Sequence, residues 1–405
     1  MRKRYFFILT AISLLVLYAG ILYYARNIIT QRNNTPGKKL EYKIGSAPSA
    51  MRYPADFETQ QAVWIQWPSE VYEQGSHPVS PSMINLIKAF APYVRVNVMS
   101  RSTDEILNIK SLLKTSGYTG SNVHFYIVNH LSIWARDVGP IFVKDNQNKL
   151  SVVDFGFNNY SRGGNQYYID TESQIDRLVA SIFKLPVINT NLVSEGGAIE
   201  SNGRGTLMVT ESVVLKRNPG ITKQQIEDEY KRVLGVKKVI WLKKGLAEDD
   251  AITSGHINEI ARFAGAGTIL LAQVLPGDRY VDAVSNDSYL RLEENYNILK
   301  NATDQDGKPF RIIRVPMPPT IYRQPADTGK IPIRSYLNYA VTNGAVIMQV
   351  YWKSGMSSGL KDTEDGVKDI LKGVFPGRDV IGVNAEDINL WGGGIHCVTQ
   401  QMPAE

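Results

Sequence analysis

Cysteine is almost absent: Cys397 is the only one in 405 residues. The chain can therefore form neither an internal disulfide nor a thiolate cage around a metal. Histidine is also scarce, with five in all, and no pair has the spacing of a helical zinc site. No Gly-x-Gly-x-x-Gly follows a strand-like run, which removes a dinucleotide fold. Serine-hydrolase chemistry is set aside for want of a nucleophile elbow. Net charge is missing too once the first 40 residues are excluded. Those residues hold seven of the 45 Lys and Arg and no acid, so 38 bases face 39 acids in the remainder. The pI near 9.0 thus belongs to one end of the chain and does not indicate nucleic-acid binding. Neither a cofactor nor a metal is expected.

Charge is also lacking over residues 5–24, from Tyr5 to Tyr24, directly after Arg2-Lys3-Arg4. About twenty apolar residues suffice to span a bilayer as a helix, so residues 1–30 are expected to be a membrane anchor with an uncleaved transmembrane helix over 5–24. The basic cluster before the span predicts an N-terminus in the cytoplasm and a domain on the extracytoplasmic, periplasmic side. Residues 31–51, polar and without a hydrophobic period, read as a linker, which leaves 52–405 as one domain.

That domain alternates in character. β-rich runs at 62–67, 94–99, 123–128, 141–144 and 152–157 are interleaved with helical periodicity at 82–90 and 103–113, then at 223–234, 289–300 and 363–371. Asn343-Gly344 predicts a tight hairpin turn with positive φ angles. The class is α/β, but no regular strand–helix repeat is visible.

Polar residues gather in glycine-linked clusters: Arg136-Asp137-Val138-Gly139, Ser161-Arg162-Gly163-Gly164, Glu195-Gly196-Gly197 with Glu200, Ser254-Gly255-His256-Ile257-Asn258, and Gly392-Gly393-Gly394-Ile395-His396-Cys397. Turns with surface charges would look similar. The last cluster argues otherwise, because three glycines admit a close approach of ligand or backbone to the sole thiol. A lone cysteine with a sequence-distant histidine is a nucleophile–base pattern. His77, His124 and His130 compete with His256, which alone sits inside such a cluster.

These segments, with Trp64-Ile65-Gln66-Trp67-Pro68, Trp134-Ala135-Arg136-Asp137, Phe155-Gly156-Phe157-Asn158 and Val398-Thr399-Gln400-Gln401, resemble the agmatine deiminase and Porphyromonas-type peptidylarginine deiminase family. The likeness runs from about Tyr53 to Ala404. It implies a five-bladed α/β propeller around a polar channel, here preceded by the transmembrane helix, and a guanidino substrate such as agmatine, an arginine derivative or peptidyl-arginine. By the resemblance, Cys397 attacks the guanidinium carbon, His256 serves as acid and then base, and Asp137 anchors the cation. Trp134 and Asn158 would wall the pocket, Arg162 would meet a substrate carboxylate, and Glu195 joins the substrate-binding set.

One departure stands out. The family usually reads Asp-Gly-His-x-Asp, whereas Asn258 supplies an amide at the last position. Glu200 is the first candidate to replace the lost charge; Asp249, Asp250 and Glu259 are weaker ones, each read more readily as a surface acid. A binding protein without turnover, or an amidinotransferase, remains the alternative.

Overall fold

The computed structural model describes residues 51–319 and 332–405, which belong to one compact unit. Five small sheets make up its β-structure. Four share one plan: two antiparallel strands in a hairpin, then a helical crossover to a third strand parallel to the second. They comprise Ile141–Lys144, Leu150–Gly156 and Val187–Val193; Ile199–Ser201, Thr206–Thr210 and Lys238–Leu242; Ala261–Gly265, Thr268–Gln273 and Arg311–Pro316; and Ala340–Val341, Ala345–Gln349 and Asp379–Val383.

The first sheet differs. Gln60–Gln66, Arg95–Ser100 and Val123–Ile127 run parallel, and the antiparallel partner of Gln60–Gln66 is Thr399–Pro403, from the other end of the domain. Gln60 pairs with Pro403 and Ile65 with Thr399, so the ring of blades is latched by its first and last strands. This is the five-bladed α/β architecture implied by the resemblance.

Local signals explain the elements. The crossover helix Lys223–Leu234 starts at a capping box formed by Thr222 and Gln225 and ends at Gly235 with φ +66°. It buries Ile226, Tyr230, Val233 and Leu234, the three-and-four spacing of one helical face. Each such aliphatic side chain stabilises the fold by about 1.5–3 kcal/mol. The strands are apolar throughout where both faces are covered, as in Ile269, Leu270, Leu271 and Ala272, all at most 1% exposed.

Two expectations need correction. Among the described residues no helix is long and apolar enough to cross a membrane. The longest, Ala283–Leu299 and Ser358–Val374, have 17 residues each, short of the roughly 20 required, and they are studded with charges such as Arg291, Glu293, Lys361 and Asp365. Residues 5–24, the expected anchor, lie outside the described residues. The transmembrane helix and the single-pass periplasmic location built on it therefore have no support. At Asn343-Gly344 the hairpin exists, but neither residue has a positive φ. Thr342 and Ala345 close the turn, and the Asn343 side chain instead bonds both backbone groups of Gln60, tying the fifth blade to the first. The glycine is needed for space: a Cβ there would lie 2.7 Å from the Tyr93 ring.

Candidate active site

Each of the five junctions between blades contributes to one buried centre. The first carries Trp134 and Asp137, the second Glu195 and Gly197, the third His256, Asn258 and Glu259, the fourth Asn338, and the fifth His396 and Cys397. Their burial is nearly complete, from 0% exposure for Glu195, Asn258 and Asn338 to 9% for Trp134.

Asp137 sits on a single helical turn, Ala135–Val138. Its Oδ1 accepts the Gly197 N–H at 3.1 Å and its Oδ2 accepts the Tyr160 hydroxyl at 2.9 Å. Gly197 lies at the heart of the cluster. A Cβ on it would fall 2.6 Å from His256 Nδ1, 2.7 Å from Asp137 Oδ1 and 3.2 Å from Asn258 Nδ2. Gly197→Ala is therefore expected to push the acid and the imidazole apart. Displacements on the order of 1 Å cost about a hundredfold in rate, so kcat/KM should fall by that factor or more, with a folded far-UV spectrum showing that the loss is local.

His256 Nδ1 is 3.7 Å from Asp137 Oδ1 and Nε2 is 3.5 Å from Glu195 Oε2. Burial opposes a charge on the imidazole, but the carboxylates of Asp137, Glu195 and Asp249 outweigh it and hold its pKa above the ordinary value. Burial likewise works against the Glu195 anion, yet His256 and Arg217 bring it down to about 2. Arg217 Nε donates to Glu195 Oε1 at 2.6 Å with both side chains fully buried. Burial raises Asp137, and the Glu195 charge adds to the rise.

The His256 loop has its own support. Asp249 accepts the N–H groups of Thr253 (3.0 Å), Gly255 (3.2 Å) and His256 (3.0 Å). Gly255, at φ +101°, packs against the Gly245 backbone so closely that a Cβ would lie 2.5 Å from the Gly245 nitrogen. Asp249 is therefore a buried organiser of this loop, while Asp250 is indeed a surface acid, paired with Arg291.

The glycine run before Cys397 is likewise a packing requirement. A Cβ at Gly393 would meet the Trp134 ring at 2.6 Å, and one at Gly394 the Asn338 and Gln349 side-chain oxygens at 2.6 Å. Cys397 itself lies in the turn before the latch strand. Its Sγ accepts from Asn338 Nδ2 at 3.1 Å and from Asn258 Nδ2 at 3.6 Å, and donates to Glu259 Oε1 at 3.6 Å. Burial pushes the thiol pKa up, and Glu259 and Asp137 push it further. His396 fixes the same turn from behind. Its Nδ1 accepts from Asn258 Nδ2 at 2.9 Å while Nε2–H donates to Asp56 Oδ2 at 2.6 Å. Burial, Arg136 and Arg262 keep this imidazole neutral, which suits that tautomer.

The remaining residues singled out in the sequence have other partners. Glu200 is buried, with Oε2 on Arg262 Nε at 3.1 Å and Oε1 on the Phe263 N–H at 2.9 Å. This corrects the expectation that it replaces the missing charge, because both of its oxygens are committed within the protein. Asn158 holds a turn: its side chain accepts the Ser161 N–H at 2.9 Å and donates to Ser161 Oγ at 3.2 Å. That turn is left-handed at Asn159, Tyr160 and Ser161, with φ +52°, +58° and +58°, a costly conformation for residues with a Cβ. It delivers Tyr160 to Asp137. Arg162 is exposed and stacks on the Tyr160 ring at 4.7 Å, one ring away from Asp137. His77 pairs with Asp387, and both His130 nitrogens face backbone carbonyls.

Two participants were missed in the sequence and a third, Glu259, was named only as a weak candidate. Glu259, read as a surface acid, is 3% exposed and touches Sγ; Asn338 and Asp56 gave no motif signal. A Gly-x-Ser-x-Gly string does occur, at Gly355–Gly359, contrary to expectation, but Ser357 is exposed and caps a helix by accepting the Gly359 N–H.

An imidazole between two carboxylates, linked through the Asn258 amide to a thiol with a third buried carboxyl beside it, can carry out nucleophilic attack and proton transfer on a small cationic carbon centre. Residues 52–403 match the model of the family described as Porphyromonas-type peptidyl-arginine deiminase. The chain is 30% identical to the agmatine deiminase of Medicago truncatula over 380 residues, 87% of this chain and 96% of that one. It is also 30% identical to that of Pseudomonas aeruginosa over 382 residues, covering 89% and 98%. The structure of the agmatine deiminase of Enterococcus faecalis superposes with a TM-score of 0.76 at 26% identity, covering 89% of this chain and 99% of that one. Blade plan, buried centre and these likenesses agree: the chain belongs to the Porphyromonas-type peptidyl-arginine deiminase family and is a deiminase-type hydrolase acting on carbon–nitrogen bonds of linear amidines.

Proposed function

We propose that the chain hydrolyses the guanidino group of agmatine or a related arginine derivative through a covalent thiouronium on Cys397, releasing ammonia. The observation that carries this reading is the convergence of His256, Asp137 and Asn258 on Gly197, where no side chain fits, with Asn258 Nδ2 also reaching Cys397 Sγ at 3.6 Å. Asp137 anchors the planar cation through charge-assisted hydrogen bonds. Sγ bonds to the guanidinium carbon, and His256, kept protonated by its carboxylates, gives its proton to the departing nitrogen. The same imidazole then takes a proton from the water that attacks the thiouronium carbon and frees the thiol. Trp134, packed on Gly393, walls the approach to the thiol, and Arg162 at the surface suits a carboxylate on a longer substrate. The test is ammonia release from a panel of guanidino and ureido compounds by residues 50–405, together with labelling of Cys397 by a reactive haloacetamidine. No release from any compound and no labelling would sink the reading.

Asn258 supports a retuned substrate preference. Its Nδ2 is spent on His396 and Sγ, while its buried Oδ1 has no hydrogen-bond partner among the described residues. An amide oxygen accepts a hydrogen bond but carries no charge, so one charge-assisted contact, about 1.5–3 kcal/mol, is forgone. Asn258→Asp is expected to raise kcat/KM for agmatine by roughly 10- to 100-fold and to lower it for the preferred substrate. Side-by-side kinetics decide this, and an efficient wild type with no gain in the variant would refute it.

A further inference from the structure

The proton of Cys397 needs a destination, and the surroundings of Sγ restrict the choice. Both amides that touch the sulfur, Asn338 and Asn258, point N–H groups at it. His256 is engaged with Asp137 and Glu195 and makes no hydrogen bond to Sγ among the described residues. The acceptor at Sγ is Glu259 Oε1, 3.6 Å away, within range for a sulfur donor. The Asn338 amide also donates to that oxygen, so one amide bridges thiol and carboxyl and fixes their separation. Oε2 of Glu259 is buried and has no partner among the described residues, so no ion pair claims this acid as Arg262 claims Glu200.

We propose that Glu259 is the catalytic base that takes the thiol proton as Cys397 attacks the guanidinium carbon. This rests on the deiminase reading above and goes further by assigning the activation of the nucleophile to a different residue from the one that protonates the leaving group. In the step, the S–H bond breaks and its proton passes to Oε1. The S–C bond forms, and the guanidinium π pair moves onto nitrogen. The charges facing Glu259 come from several elements: Cys397 from the latch turn, Glu248 and Asp249 from the loop before His256, Arg262 from its strand, and Tyr351 from the fifth blade. Burial and Asp249 favour the neutral acid in the free protein, with Arg262 opposing weakly. A bound guanidinium cation reverses that balance and releases the carboxyl proton to solvent, so the carboxylate that accepts the thiol proton is produced where and when a substrate is present.

Since Cys397 is the sole thiol, its ionisation can be followed by the pH dependence of iodoacetamide alkylation without any substrate. Glu259→Gln keeps the shape and removes both the negative charge and the proton acceptor. At the alkaline pH where the buried thiol ionises, Glu259 in the wild type is a carboxylate that repels the thiolate, so alkylation should shift to lower pH in the variant, while kcat falls by about 10²- to 10³-fold, the range for a positioned base. Glu259→Asp keeps the acid and is expected to retain an alkylation profile near that of the wild type, with a kcat loss of about tenfold. It also serves if the glutamine variant does not fold. A wild-type kcat in Glu259→Gln would overturn the proposal, as would equal losses in both variants with unshifted alkylation, which marks a purely structural role. Failure of the wild type to turn over any guanidino compound tells against the deiminase reading, whereas an unshifted alkylation profile in Glu259→Gln tells against Glu259 alone.

Discussion

Cys397→Ser is expected to abolish turnover, lowering kcat by about six orders of magnitude, the scale of losing a covalent nucleophile. The substitution is nearly isosteric, and both Asn338 and Asn258 donate hydrogen bonds toward this position, so a hydroxyl would be held where the thiol was and the fold should persist. Reactivity is what disappears, because an alcohol is a far weaker nucleophile than a thiolate and, among the described residues, no histidine is hydrogen-bonded to this position to activate it. Intact-mass measurement after haloacetamidine treatment should show one adduct on the wild type and none on the variant. A variant within tenfold of wild-type activity would mean that the thiol is a buried structural group and that the centre works, if at all, without a covalent intermediate.

His256→Ala should lower kcat by about two to four orders of magnitude, the usual contribution of a positioned acid–base group. The pH profile gives a sharper test than the magnitude. Neighbouring carboxylates raise the pKa of His256 above its ordinary value, so the protonated form needed to expel ammonia persists above pH 6.5 and is lost as the pH rises through the raised pKa. The alkaline limb of kcat in the wild type should therefore be absent from whatever activity the alanine variant retains. If the limb is the same in both proteins, another group is the acid.

How much of this was readable in advance depended on whether a signal was local. The helix at 223–234 is bounded by a capping box and a glycine within its own sequence, and its expected limits match the observed ones. The five-part repeat left no such trace. Its hairpins range from strands of two residues, Ala340–Val341, to seven, Leu150–Gly156, and the first blade borrows a strand from the far end of the domain. Only the family resemblance revealed that plan. The site divided in the same way. Cys397, His256 and Asp137 stand in glycine-rich strings that advertise close approach. Glu259 ends the short 3-10 turn Ile257–Glu259 with no glycine beside it, and a lone acid in such a place reads as an ordinary surface carboxylate until its burial is known. Asp56 is harder still, since its partners Arg262, His396 and Gln401 lie between 206 and 345 residues away.

The latch between Gln60–Gln66 and Thr399–Pro403 has a consequence for how the protein becomes active. Cys397 is two residues from the closing strand, and its oxygen accepts the Arg136 N–H at 3.0 Å from the opposite side of the joint. Contacts of such sequence separation form late in folding, after a large loop-closure entropy has been met. A chain with four blades folded and the fifth unlatched would have His256 near Asp137 and Glu195 but no nucleophile in place. Catalytic competence should therefore arise in one step, when the circle shuts, and partly folded or clipped molecules should be inert rather than weakly active. Protection of the single thiol from a bulky, unselective reagent would then serve as a stopwatch for that last event.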